Sequence, residues 1–227
     1  YIQAITVPWY NACADYAIQL ARGLTLKGHR VTVTGGPGTP AMGKAREYGI
    51  GVFAPGDPGS GNPLALIRLA GAYRKFVRET GVSAVNTHHG RDHLVWAAAL
   101  ANTGIPLVRT SGNQIPPKIH PGTRLIHSRT SGIIASCRAI QSYYAEGFGI
   151  DPARIPVVNG GVDSRRFSPA NRNRELRRNF GIPDDAFVLG IIGRFSPVKG
   201  HRFFFEAASR AARTRPRRSS TIAGDIE

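Results

Sequence analysis

The sequence is short of the residues that staple, anchor or neutralise a protein. Two cysteines, Cys13 and Cys137, stand in 227 residues. That is too few for a disulfide scaffold or a tetrahedral thiolate site, and it fits a reducing compartment. Long apolar runs are missing too: the longest, Leu94 to Ala101, has eight residues and is half alanine, whereas a membrane span needs ~18. The first residues carry neither a basic segment nor a small-residue cleavage site, so no signal peptide is expected. Acidic residues are scarce, 14 against 30 Lys and Arg, which leaves a formal charge of +16. What is present suffices for a core. Hydrophobic residues make up 41% of the chain, and that excludes wholesale disorder. Glycine is abundant, 27 residues, above the ~7% of an average chain.

The basic excess is concentrated. Residues Arg165 to Arg218 hold 14 Lys and Arg, with clusters at Arg172, Arg174, Arg177, Arg178 and at Arg213, Arg215, Arg217, Arg218. Such a field attracts nucleic acid, anionic membrane or phosphorylated small molecules, or is simply a solvated surface. Nucleic acid needs more than charge. Zinc-finger spacing, an aromatic-interleaved RNA-binding segment and a helix-turn-helix pair are all missing, so nucleic acid is not the expected partner.

Short β-type runs alternate with helical stretches. Strands are expected at Ile2–Val7, Arg30–Thr34, Gly51–Ala54, Ser83–Thr87, Pro106–Thr110, Gly132–Ala135 and Ile155–Val158. Between them the pattern predicts helices at Ala12–Lys27, Pro63–Glu79, Asp92–Asn102, Thr123–Arg129 and a Ser136-capped helix to Gly147. Gly28 reads as a helix stop, and Asn62-Pro63 as a cap followed by proline at the first helical position. This alternation defines an α/β chain with a doubly wound parallel sheet. After Asn159-Gly160-Gly161-Val162-Asp163 the texture changes, and Phe167 to Arg178 is a polar, arginine-rich helix-like stretch. A second series then begins: strand Phe187–Ile192, turn Gly193–Gly200, helix His201–Arg213, strand Ser220–Ala223. Two strands and one helix cannot bury both faces of a parallel sheet. The expected organisation is a complete first domain, residues 1–166, and the truncated start of a second, 167–227.

Three motifs resemble known chemistry and fail on context. Gly36-Pro37-Gly38-Thr39-Pro40-Ala41 matches a dinucleotide fingerprint, but it follows the second strand, and its prolines are expected to break the helix it should open. The loop that should carry that fingerprint, Pro8 to Ala14, has no glycine, which argues against an NAD-dependent oxidoreductase. His88-His89-Gly90-Arg91-Asp92-His93 looks like a metal cluster, yet Gly90 stands where a histidine is required and no further ligand set follows. It is a polar cluster at the carboxyl end of a parallel strand, where doubly wound folds bind ligands. Its bland alternative is a histidine at a helix start, with Asp92 supporting the first turn. Ser196-Pro197-Val198-Lys199 imitates a penicillin-binding motif whose companion boxes are missing.

The informative segment is Gly190 to His201. A strand ends in glycine, and Arg194 and Lys199 flank the turn before a helix. Cations and helix-start N–H groups converging on one place suit a diphosphate: lysine supplies a point charge and arginine a planar fork.

With these residues in view, the sequence resembles the glycosyltransferase family 4 enzymes, retaining and metal-independent sugar transferases of GT-B fold. The resemblance runs through Gly28-His29-Arg30-Val31, Thr87-His88-His89-Gly90, Asn159 to Asp163 with Phe167, and Gly193-Arg194-Phe195 through Lys199-Gly200. It implies that Arg194 and Lys199 bind the donor diphosphate and that His88, at the end of the fourth strand, lies beside the transferred sugar as the catalytic-site residue. His89, Gly193 and the loop residues Asn11 and Ala12 have a weaker claim as donor or acceptor contacts. Asn11-Ala12 stands where the family usually has a Gly-Gly pair. The family's paired glutamates, seven residues apart, fall beyond the end of the chain, and Glu227 is neither of them. With Tyr1 in place of Met, the expectation is an inactive fragment of a longer enzyme. No cofactor or metal is expected. The implied partners are a nucleotide-sugar donor, a carbohydrate or lipid-linked acceptor bound along Ser111 to His120, and peripheral contact with the cytoplasmic face of an anionic membrane. Cell-envelope polysaccharide or lipopolysaccharide assembly is the implied setting. A GT-B nucleotide-sugar epimerase and a non-catalytic basic anion- or nucleic-acid-binding module are the alternatives.

Overall fold

The computed structural model describes residues 1–112, 115–171, 174–183, 186–193, 195–214 and 219–224. Arg172, Arg194, Arg215, Arg217, Arg218 and Glu227 lie outside the described residues, as do positions 113 and 114 of the expected acceptor stretch. The chain divides into two compact units, Tyr1–Gly161 and Val162–Glu227.

The first unit alternates strand and helix throughout. Its elements are β1 (Ile2–Ala4), α1 (Ala12–Leu26), β2 (Thr32–Thr34), α2 (Pro40–Glu47), β3 (Gly51–Phe53), α3 (Pro63–Thr80), β4 (Val85–Thr87), α4 (Gly90–Ala99), β5 (Leu107–Ser111), α5 (Pro121–Ser128), β6 (Gly132–Ala135) and α6 (Arg138–Phe148). The six strands form one sheet in the order β3-β2-β1-β4-β5-β6, and every pairing is parallel. β1 pairs with both β2 and β4, so the winding reverses between β1 and β4. Loops leaving the carboxyl ends of those two strands diverge there, at the crevice position where doubly wound folds bind ligands.

Local chemistry accounts for the helix ends. The Asn11 side chain accepts from the Cys13 and Ala14 amides at 3.0 Å each, which caps α1, and Gly28 at φ +85° lets the chain turn after it. Asn62 accepts from the Leu64 and Ala65 amides, with Pro63 at the first position of α3, and Gly81 takes the left-handed conformation beyond Thr80. Both ends use residue types whose geometry fits the cap. Packing then closes the sheet. Tyr73 of α3 and Trp96 of α4, both fully buried, stack with ring centroids 4.2 Å apart. They sit in a cluster with Ile2, Val85 and Leu107 from the strands beneath. Ile5, Ile18, Val33 and Met42 form a second cluster, and Ile133, Ile140 and Ile155 a third under α6.

Three local expectations are corrected. Pro40 does not break a helix but occupies the first turn of α2, where its missing N–H costs nothing; Thr39 precedes it as the cap position, its hydroxyl donating to the Gly36 carbonyl at 3.0 Å. Cys137, not Ser136, stands at the cap of α6; the Ser136 amide still extends the pairing with β5, donating to the Ser111 carbonyl at 3.0 Å. The segment Ile155–Val158 contributes an isolated bridge, Ala135 to Val157, rather than a strand.

Gly35 lies where β2 exits toward this crevice. A Cβ there would run into the Ile5 carbonyl oxygen and lie 3.0 Å from Met42 Cε. Overpacking a filled core costs about 1–3 kcal/mol, so Gly35→Ala is expected to lower stability by about 2 kcal/mol in urea unfolding. A wild-type midpoint would show that the backbone yields freely.

In the second unit, β7 (Phe187–Ile192) pairs in parallel with β8 (Ser219–Gly224). A short helix α7 (Arg174–Asn179) precedes them, and α8 (His201–Thr214) connects them.

Candidate functional site

His88 follows β4 at the crevice. The loop from Ile5 to Asn11 follows β1 beside it. The structure brings these two together: the Cys13 thiol donates to the His88 carbonyl at 3.4 Å, and the Tyr16 ring lies 5.9 Å from the His88 ring. Asn11 uses its side-chain oxygen on the cap of α1, and Ala12 is exposed at the start of that helix. His89 is exposed at the cap position of α4 and makes no side-chain cap bond.

His88 itself is only 3% exposed. Its Nε2 lies 2.9 Å from Gln3 Oε1 and 3.3 Å from Asn86 Nδ2. Burial, reinforced by the Arg109 guanidinium, pushes its pKa down to about 3. The ring is therefore neutral across the physiological range, a hydrogen-bonding group rather than a proton carrier.

Sequence reasoning missed the electrostatic centre of this region. Arg109, in the middle of β5, is 8% exposed and donates to the Thr87 carbonyl at 3.4 Å. Its charge is felt at His88, His93, His127, Cys13 and Asp92. The available signal was an arginine inside the otherwise strand-like Pro106 to Thr110. Asp92 is fully buried and does more than support its own helix. Its Oδ2 accepts from the Thr6 amide at 2.8 Å and its Oδ1 from the Thr6 hydroxyl at 2.7 Å, tying the β1 loop to α4. Burial raises the Asp92 pKa to about 6, against the pull of the Thr6 bonds and Arg109. Burial also pushes the Cys13 thiol up, which leaves it unsuited to act as a nucleophile.

His93 is a structural histidine. Its Nδ1 lies 2.7 Å from Thr87 Oγ1 and its Nε2 2.9 Å from Thr130 Oγ1, so both ring nitrogens are committed. Among the described residues no group of three or more His, Cys, Asp or Glu could hold a metal ion.

Within the second unit, Gly193 ends β7 and Pro197–Lys199 forms a 3-10 turn. Gly200, at φ +72°, then leads into α8. The Lys199 stem lies over Gly193, where a Cβ would meet its Cγ and Cδ at 3.7 Å. Lys199 is exposed, and among the described residues its ammonium makes no ion pair.

A parallel sheet whose winding reverses between β1 and β4, with a buried, neutral histidine just past the end of β4, defines a doubly wound α/β domain. The chain belongs to Glycosyltransferase Family 4, whose model matches residues 14–166. Its fold is of the GT-B glycosyltransferase type. A glycosyltransferase from Rickettsia africae superposes with a TM-score of 0.81 at 16% identity, covering 99% of this chain and 68% of that one. Anabaena Alr3699/HepE, solved in complex with UDP, superposes at 0.78 with 19% identity, covering 99% and 60%. Among curated proteins, D-inositol 3-phosphate glycosyltransferase 1 of Catenulispora acidiphila is 25% identical over 214 residues, 86% of this chain and 51% of its own length. The chain thus spans about half the length of this curated relative.

Proposed function

We propose that the protein carrying this chain transfers a sugar from a nucleotide-sugar donor to an acceptor hydroxyl with retention of anomeric configuration and without a metal. The observation that carries this reading is the Gly193–Gly200 turn. Lys199 presents an exposed ammonium two residues before the first turn of an α-helix, its stem held against Gly193. Together with Arg194, it would neutralise the diphosphate as the glycosidic bond to the donor breaks, the task a divalent cation performs elsewhere. His88, neutral and hydrogen-bonded, would orient the sugar rather than move a proton. Bound UDP in the Anabaena protein of the same fold supports a nucleotide donor. The acceptor would lie along Ser111 to His120 and the loop ending at Asn11. Among the described residues no helix is long and apolar enough to cross a membrane. The basic surface would favour peripheral contact with an anionic cytoplasmic membrane face and acceptors of cell-envelope polysaccharide or lipopolysaccharide assembly. The 227 residues alone are expected to transfer no sugar, because the second unit covers so little of its own apolar surface.

Calorimetric titration of the full-length protein that carries this chain with UDP, GDP and ADP tests the reading. Lys199→Ala should weaken binding of the preferred nucleotide by about 1.5–3 kcal/mol, the scale of a charged hydrogen bond. Lys199→Arg should restore only part of it, since a fork replaces a point charge. Equal affinity in wild type and Lys199→Ala would remove the diphosphate site.

A further inference from the structure

We propose that Gln3 is a positioning residue that holds the His88 imidazole as its Nε2–H tautomer and so makes Nδ1 a standing hydrogen-bond acceptor for a sugar hydroxyl. The sugar in that statement rests on the transfer reading above; the tautomer does not.

Gln3 is the central residue of β1 and sits in register with Asn86 of β4. A buried glutamine between Ile2 and Ala4 in this strand needs polar partners, since an unpaired buried amide is costly. It has them in a short chain of hydrogen bonds across three strands. The Thr110 hydroxyl donates to Asn86 Oδ1 at 2.9 Å. That turns Asn86 Nδ2 toward Gln3 Oε1, to which it donates at 3.0 Å. Gln3 Oε1 also faces His88 Nε2 at 2.9 Å. An amide oxygen carries no proton, so at this distance the proton must reside on Nε2. All four residues are at most 9% exposed, so water does not compete for these positions. On a neutral ring, a proton on Nε2 leaves Nδ1 with a lone pair. Nδ1 makes no hydrogen bond to any described residue.

The chemical consequence is a preference. An acceptor nitrogen beside the crevice rewards a ligand that presents an O–H there and penalises one that presents a carbonyl or a deoxy carbon. Gln3 touches no ligand in this scheme; it acts through His88.

The arrangement also predicts what removing Gln3 does. Asn86 Nδ2, 3.3 Å from His88 Nε2, becomes the nearest polar partner, and it is a donor. The imidazole should then move its proton to Nδ1 so that Nε2 can accept.

Nitrogen-15 NMR of the histidine-labelled, ligand-free chain reads the tautomer directly. Wild type is expected to show His88 as Nε2–H, and Gln3→Met to gain the Nδ1–H form. Gln3→Glu keeps an acceptor oxygen, so it should retain Nε2–H, while its carboxylate raises the His88 pKa by about one to three pH units. A wild-type Nδ1–H ring overturns the proposal, as does a folded Gln3→Met with the wild-type signature. Should Gln3→Met fail to fold, an unmoved His88 pKa in Gln3→Glu does the same. The nucleotide titrations with Lys199→Ala report on the diphosphate site independently, so either idea can fail without the other.

Discussion

Asp92→Asn is expected to stabilise the first unit by on the order of 2–3 kcal/mol at pH 8 and to change little below about pH 4. Asp92 is fully buried, and burial raises its pKa from 3.8 to about 6. An acid whose folded pKa is raised contributes its full stability only below the unfolded value. That contribution is lost as pH rises through about 6, because the native state must then carry a buried charge. The shift corresponds to about 3 kcal/mol at 1.36 kcal/mol per pH unit. Arg109 favours the charge, whereas Asp57 opposes it; Tyr73 and Cys13 also feel it. Asparagine escapes the titration and keeps the geometry: its oxygen can accept from the Thr6 amide, and its nitrogen can donate to the Thr6 hydroxyl. Asp92→Leu should instead destabilise at every pH, since the Thr6 amide loses its buried acceptor at about 1–3 kcal/mol. Urea unfolding from pH 4 to 8 decides this. A pH-independent difference between wild type and Asp92→Asn, or a less stable Asp92→Asn at pH 8, would show that the carboxylate is well solvated or well paired.

Most of the first unit was legible because its punctuation is local. Asn62-Pro63 and Gly28 act within one helical turn, and their helices end where those residues require. β6 and β7 fall at the residues expected from their β-branched runs. Pro40 was misread because proline is a breaker inside a helix and a starter at its first turn, and the sequence alone did not distinguish the two positions. The position of His88 at a strand end was legible from alternation and from the family resemblance. Its partners were not. Gln3, Asn86 and Thr110 are separated by 83 and 24 residues, and only the strand order β1-β4-β5 places them side by side. The Asp92 bond to Thr6, 86 residues away, was hidden for the same reason. A single sequence contains the polar residues of such a network but not the register that joins them.

Hydrogen exchange should separate the two units by at least about three orders of magnitude in amide protection. Amides of β1, β4 and β5 lie in a sheet flanked by strands on both sides and covered by three apolar clusters. They should exchange only through global opening, which for a stable domain costs about 5 kcal/mol or more. The described residues of the second unit have no comparable cover. Ala186 and His201 are the buried residues among those described in it, whereas Phe187, Ile192, Phe195, Val198 and Phe203 are 64–93% exposed. Apolar surface left in water contributes nothing toward the conformational entropy that folding must overcome. Two strands and a connecting helix are marginal on their own. Amides of β7 should therefore exchange through cheap local opening while those of β4 stay protected in the same sample. If β7 and β4 are protected equally, the second unit buries its apolar residues against something, a second copy of the chain included, and a concentration series would reveal it. If β7 remains fast at every concentration, the exposed face of β7 and α8 needs further polypeptide to cover it. In that case Lys199 cannot hold a diphosphate firmly until the cover is supplied, because the turn that presents its ammonium is only as rigid as the strand and helix on either side of it.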